Sequence, residues 1–219
     1  MIISKCPSRP PGRELFFAPL EISLKPSDLL RVKFAYALSK AGHAKQKRKD
    51  GSRYFDHPKA VAWIYIHEFG GLDPDVIIFL LLHDLPEDSF LLSFYWISFI
   101  FGEKTTLRVF AVTKGKETFK ESMLRVVKED PETISGKGFD RLHNLRTLDV
   151  CDLEMQHEQI EETEGTLMPI LLPALRSFGR EWIECANELE VKMKEAIKVI
   201  KDGWSAEKLS NAIEVTSFK

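Results

Sequence analysis

Cysteine is scarce in this 219-residue chain: Cys6, Cys151 and Cys185 are the only three, and none stands near another. An odd number without close pairs argues against a disulfide framework or a paired-cysteine metal site, and fits reduced thiols. Net charge is nearly absent as well. The 31 Lys and Arg oppose 33 Asp and Glu, leaving a formal charge of -2 and a pI of about 6.3. No overall basic field is therefore available to gather nucleic acid or a membrane surface. No apolar run reaches the roughly 18 residues needed to span a bilayer. Residues 76–101 come nearest, but His83, Asp84, Glu87 and Asp88 interrupt them. Pro7, Pro10 and Pro11 stand where a secretory signal would have its apolar centre. These absences lead to the expectation of a cytoplasmic protein that binds neither nucleic acid nor membrane. Glycine-rich phosphate loops, internal repeats, low-complexity tracts and strand-like alternation are missing too. The expected fold class is all-α in a single domain, and 44% hydrophobic residues suffice for one substantial core.

What the chain does have is a concentration of ionisable groups in an apolar setting. His83-Asp84-Leu85-Pro86-Glu87-Asp88 follows the apolar run 76–82 and precedes another over 90–101. Unpaired charge is costly to bury, so these groups call for a compensating partner, most simply a metal ion. His57 stands ahead of one helical pattern, His83 and Asp84 end another, and Asp140 begins a third. Two imidazoles and two carboxylates form a mixed nitrogen and oxygen set that suits Mn²⁺, Fe²⁺ or Zn²⁺ better than Ca²⁺ or Cu⁺.

The helical pattern places these residues. Five of the 11 prolines lie in residues 1–26, which leads one to expect a surface arm without a long regular element. Ser27 is the expected cap of the first helix, and Gly42 marks its end. Residues 43–53 then form a basic stretch, with Lys45, Lys47, Arg48, Lys49 and Arg53 around an Asp50-Gly51 turn. Pro58 and Asp73-Pro74 start two further helices, Gly70-Gly71 separates them, and another is expected over 89–101. Gly115, Gly136 and Gly138 interrupt the following region, and the pair at 136 and 138 leads one to expect that the helix carrying Asp140 begins late or that its backbone is displaced. Leucines at 142, 145 and 148 leave Asp140, Asn144 and Thr147 on one common face. Helical patterns over 156–178 and 181–201 complete the chain, giving an arm over 1–26, a domain over 27–180, and C-terminal helices over 181–219 that pack on it.

Three of these motifs, in this order, resemble a known family. Lys45-Gln46-Lys47-Arg48-Lys49-Asp50-Gly51 with Tyr54 and His57-Pro58, then His83-Asp84 with Glu87-Asp88, then Asp140-Arg141-Leu142-His143-Asn144-Leu145-Arg146-Thr147-Leu148, is similar to the HD-type hydrolase domain of the RelA/SpoT homologues, over about residues 28–180. The resemblance implies a helical HD fold with Mn²⁺ held by His57, His83, Asp84 and Asp140. It implies removal of the 3′-pyrophosphate from the alarmones ppGpp and pppGpp, with Glu87 and Asp88 activating or orienting the attacking water. Arg48 and Lys49 match the pair beside the nucleotide, where a guanidinium can stack on a purine and an ammonium can neutralise phosphate. Asn144 and Thr147 match positions that contact the nucleoside. Tyr54 is expected to pack against the basic loop or the ligand, and His143 to be structural or to orient a neighbour of the metal.

The chain has no room for the synthetase and regulatory domains of the long family members, and is expected to be a small hydrolase. Two rival readings are an enzyme for another phosphorylated nucleotide, such as an adenosine alarmone or NADPH, and a catalytically silent module that binds an alarmone. No feature of the sequence specifies an oligomeric state.

Overall fold

The computed structural model describes residues 11–88 and 93–217, without the side chains of Asp88 and of residues 205–217. Residues 1–10 of the expected arm, the Asp88 carboxylate and the expected helix start at Ser89 therefore lie outside the described residues. The described residues form α-helices and contain no strand. They are α1 (Arg13–Ser23), α2 (Pro26–Gly42), α3 (Asp56–Trp63), α4 (Pro74–Leu82), α5 (Leu85–Asp88), α6 (Phe94–Phe101), α7 (Glu103–Val112), α8 (Phe119–Val126), α9 (Pro131–Arg146), α10 (Leu153–Glu162), α11 (Met168–Arg176) and α12 (Arg180–Ser217). A π turn, Ile64–Glu68, extends α3, and a second, Thr163–Leu167, joins α10 to α11.

α4 is the centre. Every residue from Val76 to Leu82 is buried, as befits a helix that is apolar all round. Asp73 starts it by accepting the amide protons of Asp75 and Val76, with Pro74 at the first helical position. α2, α3, α7 and α9 pack around it. α9 lies in turn against α3 and α12, and α12 against α11, through Ala186, Leu189, Met193 and Ile197.

The structure departs from the sequence expectations in three places. Within the proline-rich segment, α1 is an 11-residue helix with Pro19 inside it. Phe16, Phe17 and Leu20 are buried there, and the two phenyl rings lie 5.1–5.4 Å from the Tyr36 ring. Burying three such side chains yields roughly 1.5–3 kcal/mol each, against about 3 kcal/mol for an interior proline. Next, α2 begins at Pro26 after Lys25, and Ser27 does not cap it. Finally, α9 does not begin late. Asp130 caps it by accepting the Thr133 amide, and the helix runs unbroken through Gly136 and Gly138.

The glycines have a packing reason. A Cβ on Gly136 would stand 2.4 Å from Cε1 of Phe79, and one on Gly138 2.9 Å from Cδ1 of Leu189. Their missing side chains let α9 press against α4 on one side and α12 on the other. That contact brings Asp140 to the end of α4. Gly136→Ala should therefore destabilise the protein by about 1–2 kcal/mol in urea unfolding, because overpacking outweighs a helix-propensity gain of about 1 kcal/mol. Gly203→Ala on α12, where nothing lies within 4 Å, should gain up to about 1 kcal/mol in the same measurement.

Candidate metal centre

The start of α3 and the end of α4 meet against the interior of α9. His57 stands in the first turn of α3, His83 and Asp84 follow the last turn of α4, and Asp140 lies inside α9. His57 Nε2 is 3.3 Å from Asp84 Oδ2 and 3.2 Å from Asp140 Oδ1. His83 Nε2 is 3.1 Å from Asp84 Oδ1 and 3.8 Å from Asp140 Oδ1. His57, His83 and Asp84 offer three donor atoms all within 4.8 Å of one another.

The surrounding hydrogen bonds aim both imidazoles inward. His83 Nδ1 donates to the Leu80 carbonyl at 2.8 Å, which leaves Nε2 toward the cluster. That Nε2 is buried and makes no hydrogen bond of acceptable geometry. His57 Nδ1 lies 2.8 Å from His143 Nδ1. Burial, then the charges of His57 and Arg48, holds His143 well below the ordinary histidine range and therefore neutral. Its Nδ1 can accept a proton from His57 Nδ1, freeing His57 Nε2 as a ligand.

The carboxylates are set with equal care. Asp84 Oδ2 accepts from the Tyr54 hydroxyl at 3.1 Å. Asp140 Oδ1 accepts from Asn144 Nδ2 at 2.8 Å, and Oδ2 from Lys137 Nζ at 2.9 Å. Burial alone would raise both carboxyl pKa values, but the imidazoles, and for Asp140 first Lys137, hold them below the usual carboxylate range. Burial likewise opposes a charged His83. Asp84 and Asp140 outweigh it and push His83 up to about 9. A proton thus does at His83 what a cation would do. An orphaned buried nitrogen facing two anionic carboxylates fits a divalent metal held by nitrogen and oxygen donors.

The remaining candidates divide. Arg48 Nη2 donates to Asn144 Oδ1 at 3.3 Å and to Thr147 Oγ1 at 3.1 Å, so these three stand together beside Asp140. Lys49 is half-exposed, with Nζ 3.8 Å from Asp152 Oδ2; no described contact joins it to the others. Glu87 lies one turn beyond Asp84, its amide donating to the Asp84 carbonyl at 3.2 Å, and its Oε1 accepts the Lys114 amide proton. Desolvation, then the charge of Asp84, raises its pKa.

Two members of the site are not apparent from sequence. The sequence places Tyr54 against the loop or a ligand and gives no sign of a tie to the cluster's carboxylates. Its ring does stack on His43 at 4.8 Å, but its hydroxyl also holds a carboxylate of the cluster. Lys137 is hidden by the glycines flanking it. Its spacing of three residues from Asp140 becomes a signal only when the helix is known to continue through them.

An all-α fold with a buried histidine, a His-Asp pair and a distant aspartate converging where α3, α4 and α9 meet defines an HD-type domain. No family model matches the chain. Over 149 residues it is 38% identical to a probable guanosine-3′,5′-bis(diphosphate) 3′-pyrophosphohydrolase of Synechocystis sp., covering 63% of this chain and 19% of the relative. Over 177 residues it is 35% identical to the guanosine-3′,5′-bis(diphosphate) 3′-pyrophosphohydrolase of Aquifex aeolicus, covering 77% and 24%. A GTP pyrophosphokinase of Streptomyces coelicolor is 33% identical over 159 residues, covering 67% and 18%. A solved structure of a metazoan SpoT orthologue, described as hydrolysing ppGpp, shares the fold with a TM-score of 0.63 at 23% identity, covering 80% of this chain and 97% of that one. The chain is a RelA/SpoT homologue. It spans about a fifth to a quarter of the length of these curated relatives.

The proton on His83 sets a pH dependence. A metal must displace it below about pH 9 and competes with nothing at that atom above it. Calorimetric titration with a divalent transition metal should show apparent affinity rising about tenfold per pH unit from 7 toward 9, then levelling off. A flat profile would show that His83 is not a ligand.

Proposed function

We propose that this chain removes the 3′-pyrophosphate of ppGpp and pppGpp, giving GDP or GTP and pyrophosphate, in a Mn²⁺-dependent hydrolysis carried by residues 27–180. The observation that carries this reading is the convergence of His57, His83, Asp84 and Asp140 around one orphaned buried nitrogen. The activity in the names of the Synechocystis and Aquifex relatives supports the substrate.

In this reading the four side chains hold Mn²⁺, which when bound polarises phosphate oxygens and acidifies water. Tyr54, His143, Lys137 and Asn144 keep those ligands oriented. Glu87 acts on the water. Its Oε1 is engaged by the Lys114 amide, which leaves Oε2 to accept the proton, and a raised pKa makes it a better acceptor near neutrality. Asp88, the next residue on α5, assists in orienting the water. Arg48 faces the base, Asn144 and Thr147 read the nucleoside through amide and hydroxyl groups, and Lys49 neutralises phosphate.

Purified protein with Mn²⁺ should convert ppGpp to GDP and pyrophosphate faster than it turns over an adenosine alarmone or NADPH, by chromatography of the products. Asp84→Ala should lower that rate by about 10³-fold or more, since it removes both a metal ligand and the acceptor of Tyr54. Faster turnover of an adenosine substrate would reassign the enzyme. Tight ppGpp binding without product would make the chain a binding module.

A further inference from the structure

Lys137 is the ammonium in contact with the cluster among the described residues, and the roles assigned so far use only part of it. An ammonium has three N–H donors and no acceptor. One donor goes to Asp140 Oδ2 at 2.9 Å, the oxygen turned away from the imidazoles, because Oδ1 takes the Asn144 amide and faces both Nε2 atoms. No other hydrogen bond or ion pair of Lys137 exists among the described residues. Its side chain is 18% exposed, so it is not sealed from solvent. Its charge acts on Glu87 as well as on Asp140.

This placement is more than a salt bridge requires. Once a divalent cation joins two carboxylates and two neutral imidazoles, those charges balance, and the ammonium of Lys137 offsets the carboxylate of Glu87. An anionic oxygen arriving at the metal then meets a centre without net negative charge, beside an ammonium with N–H donors to spare.

We propose that Lys137 is a substrate-binding residue: while bonded to Asp140 Oδ2, it donates a second N–H to an oxygen of the pyrophosphoryl group at the metal. This rests on the pyrophosphohydrolase reading above. Gly136 and Gly138 serve the same end, since they bring α9 close enough for the one long side chain between them to reach the site.

The test separates holding Asp140 from holding phosphate. Mn²⁺ affinity is measured first by calorimetry without nucleotide, then the affinity of the Mn²⁺-loaded protein for inorganic pyrophosphate, in wild type, Lys137→Met and Lys137→Arg. At Mn²⁺ concentrations that saturate each variant, Lys137→Met should lower pyrophosphate affinity by about tenfold or more, the worth of one charge-assisted hydrogen bond, and by more than it lowers Mn²⁺ affinity. Lys137→Arg should recover most of that loss, and circular dichroism should show the helices intact. Unchanged pyrophosphate affinity in Lys137→Met overturns the proposal. So does a Mn²⁺ loss as large as the pyrophosphate loss, which would make Lys137 a positioning residue for Asp140 alone. Should Lys137→Met fail to fold, Lys137→Arg decides: an arginine variant with wild-type Mn²⁺ affinity but no pyrophosphate binding overturns it, and retained binding upholds it. Wild-type protein that binds pyrophosphate through Lys137 but does not hydrolyse ppGpp would instead overturn the functional reading.

Discussion

Two carboxylates buried side by side repel each other and lose their hydration, and the fold is arranged around making that tolerable. Asp84 and Asp140 face one another across two imidazole nitrogens at the meeting of α3, α4 and α9. Each carboxylate has a further donor, Tyr54 for Asp84, and Asn144 and Lys137 for Asp140. Removing one partner would leave a buried charge uncompensated, which is far more harmful than never having buried it. The surrounding helices are correspondingly immobilised by apolar packing, with α4 wholly enclosed.

The same constraint explains why α9 tolerates glycines in mid-helix. An α9 with ordinary side chains at 136 and 138 would stand off from Phe79 and Leu189, and Asp140 would miss His57 and His83. The glycines weaken the isolated helix. Docking against α4 and α12, with the Asp130 cap at its start, restores what propensity loses. The far end is tied down as well: Arg146 makes two hydrogen bonds to Glu68 of the first π turn, at 2.6 and 2.9 Å, and Lys192 of α12 adds a third contact at 2.9 Å. Burial would raise Glu68, but Arg146 and Lys192 hold it down at about 2. The anchor therefore stays ionised well below neutrality.

Much of this is legible in the sequence where the signal is local. The Asp73-Pro74 cap, the enclosed run behind His83 and the shared face of Asp140, Asn144 and Thr147 follow from spacing and residue type alone. The larger failures involve tertiary override. Pro19 argues against a helix until Phe16, Phe17 and Leu20 are seen to fill a pocket beside Tyr36. Gly136 and Gly138 argue for a break until Phe79 and Leu189 are seen to need the space. Lys137 disappears with them, since a side chain on a supposed loop has no predictable neighbour. Lys49, which its place in the basic stretch suggests as a site residue, has its described contact with Asp152 and stays half-exposed.

The basic loop between α2 and α3 is held in shape by its own contacts. An isolated bridge pairs Lys47 with Arg53. Gly51 takes a left-handed φ of 78° at the turn, where Ser52 donates its amide to Asp50 Oδ1 at 2.8 Å. Arg48 fastens the loop to α9, and Tyr54 fastens its other end to the cluster. A free loop of this length would surrender roughly 1–2 kcal/mol of backbone entropy for every residue a ligand ordered. Here that disorder was given up when the chain folded, so more of the contact energy with an arriving molecule can appear as affinity.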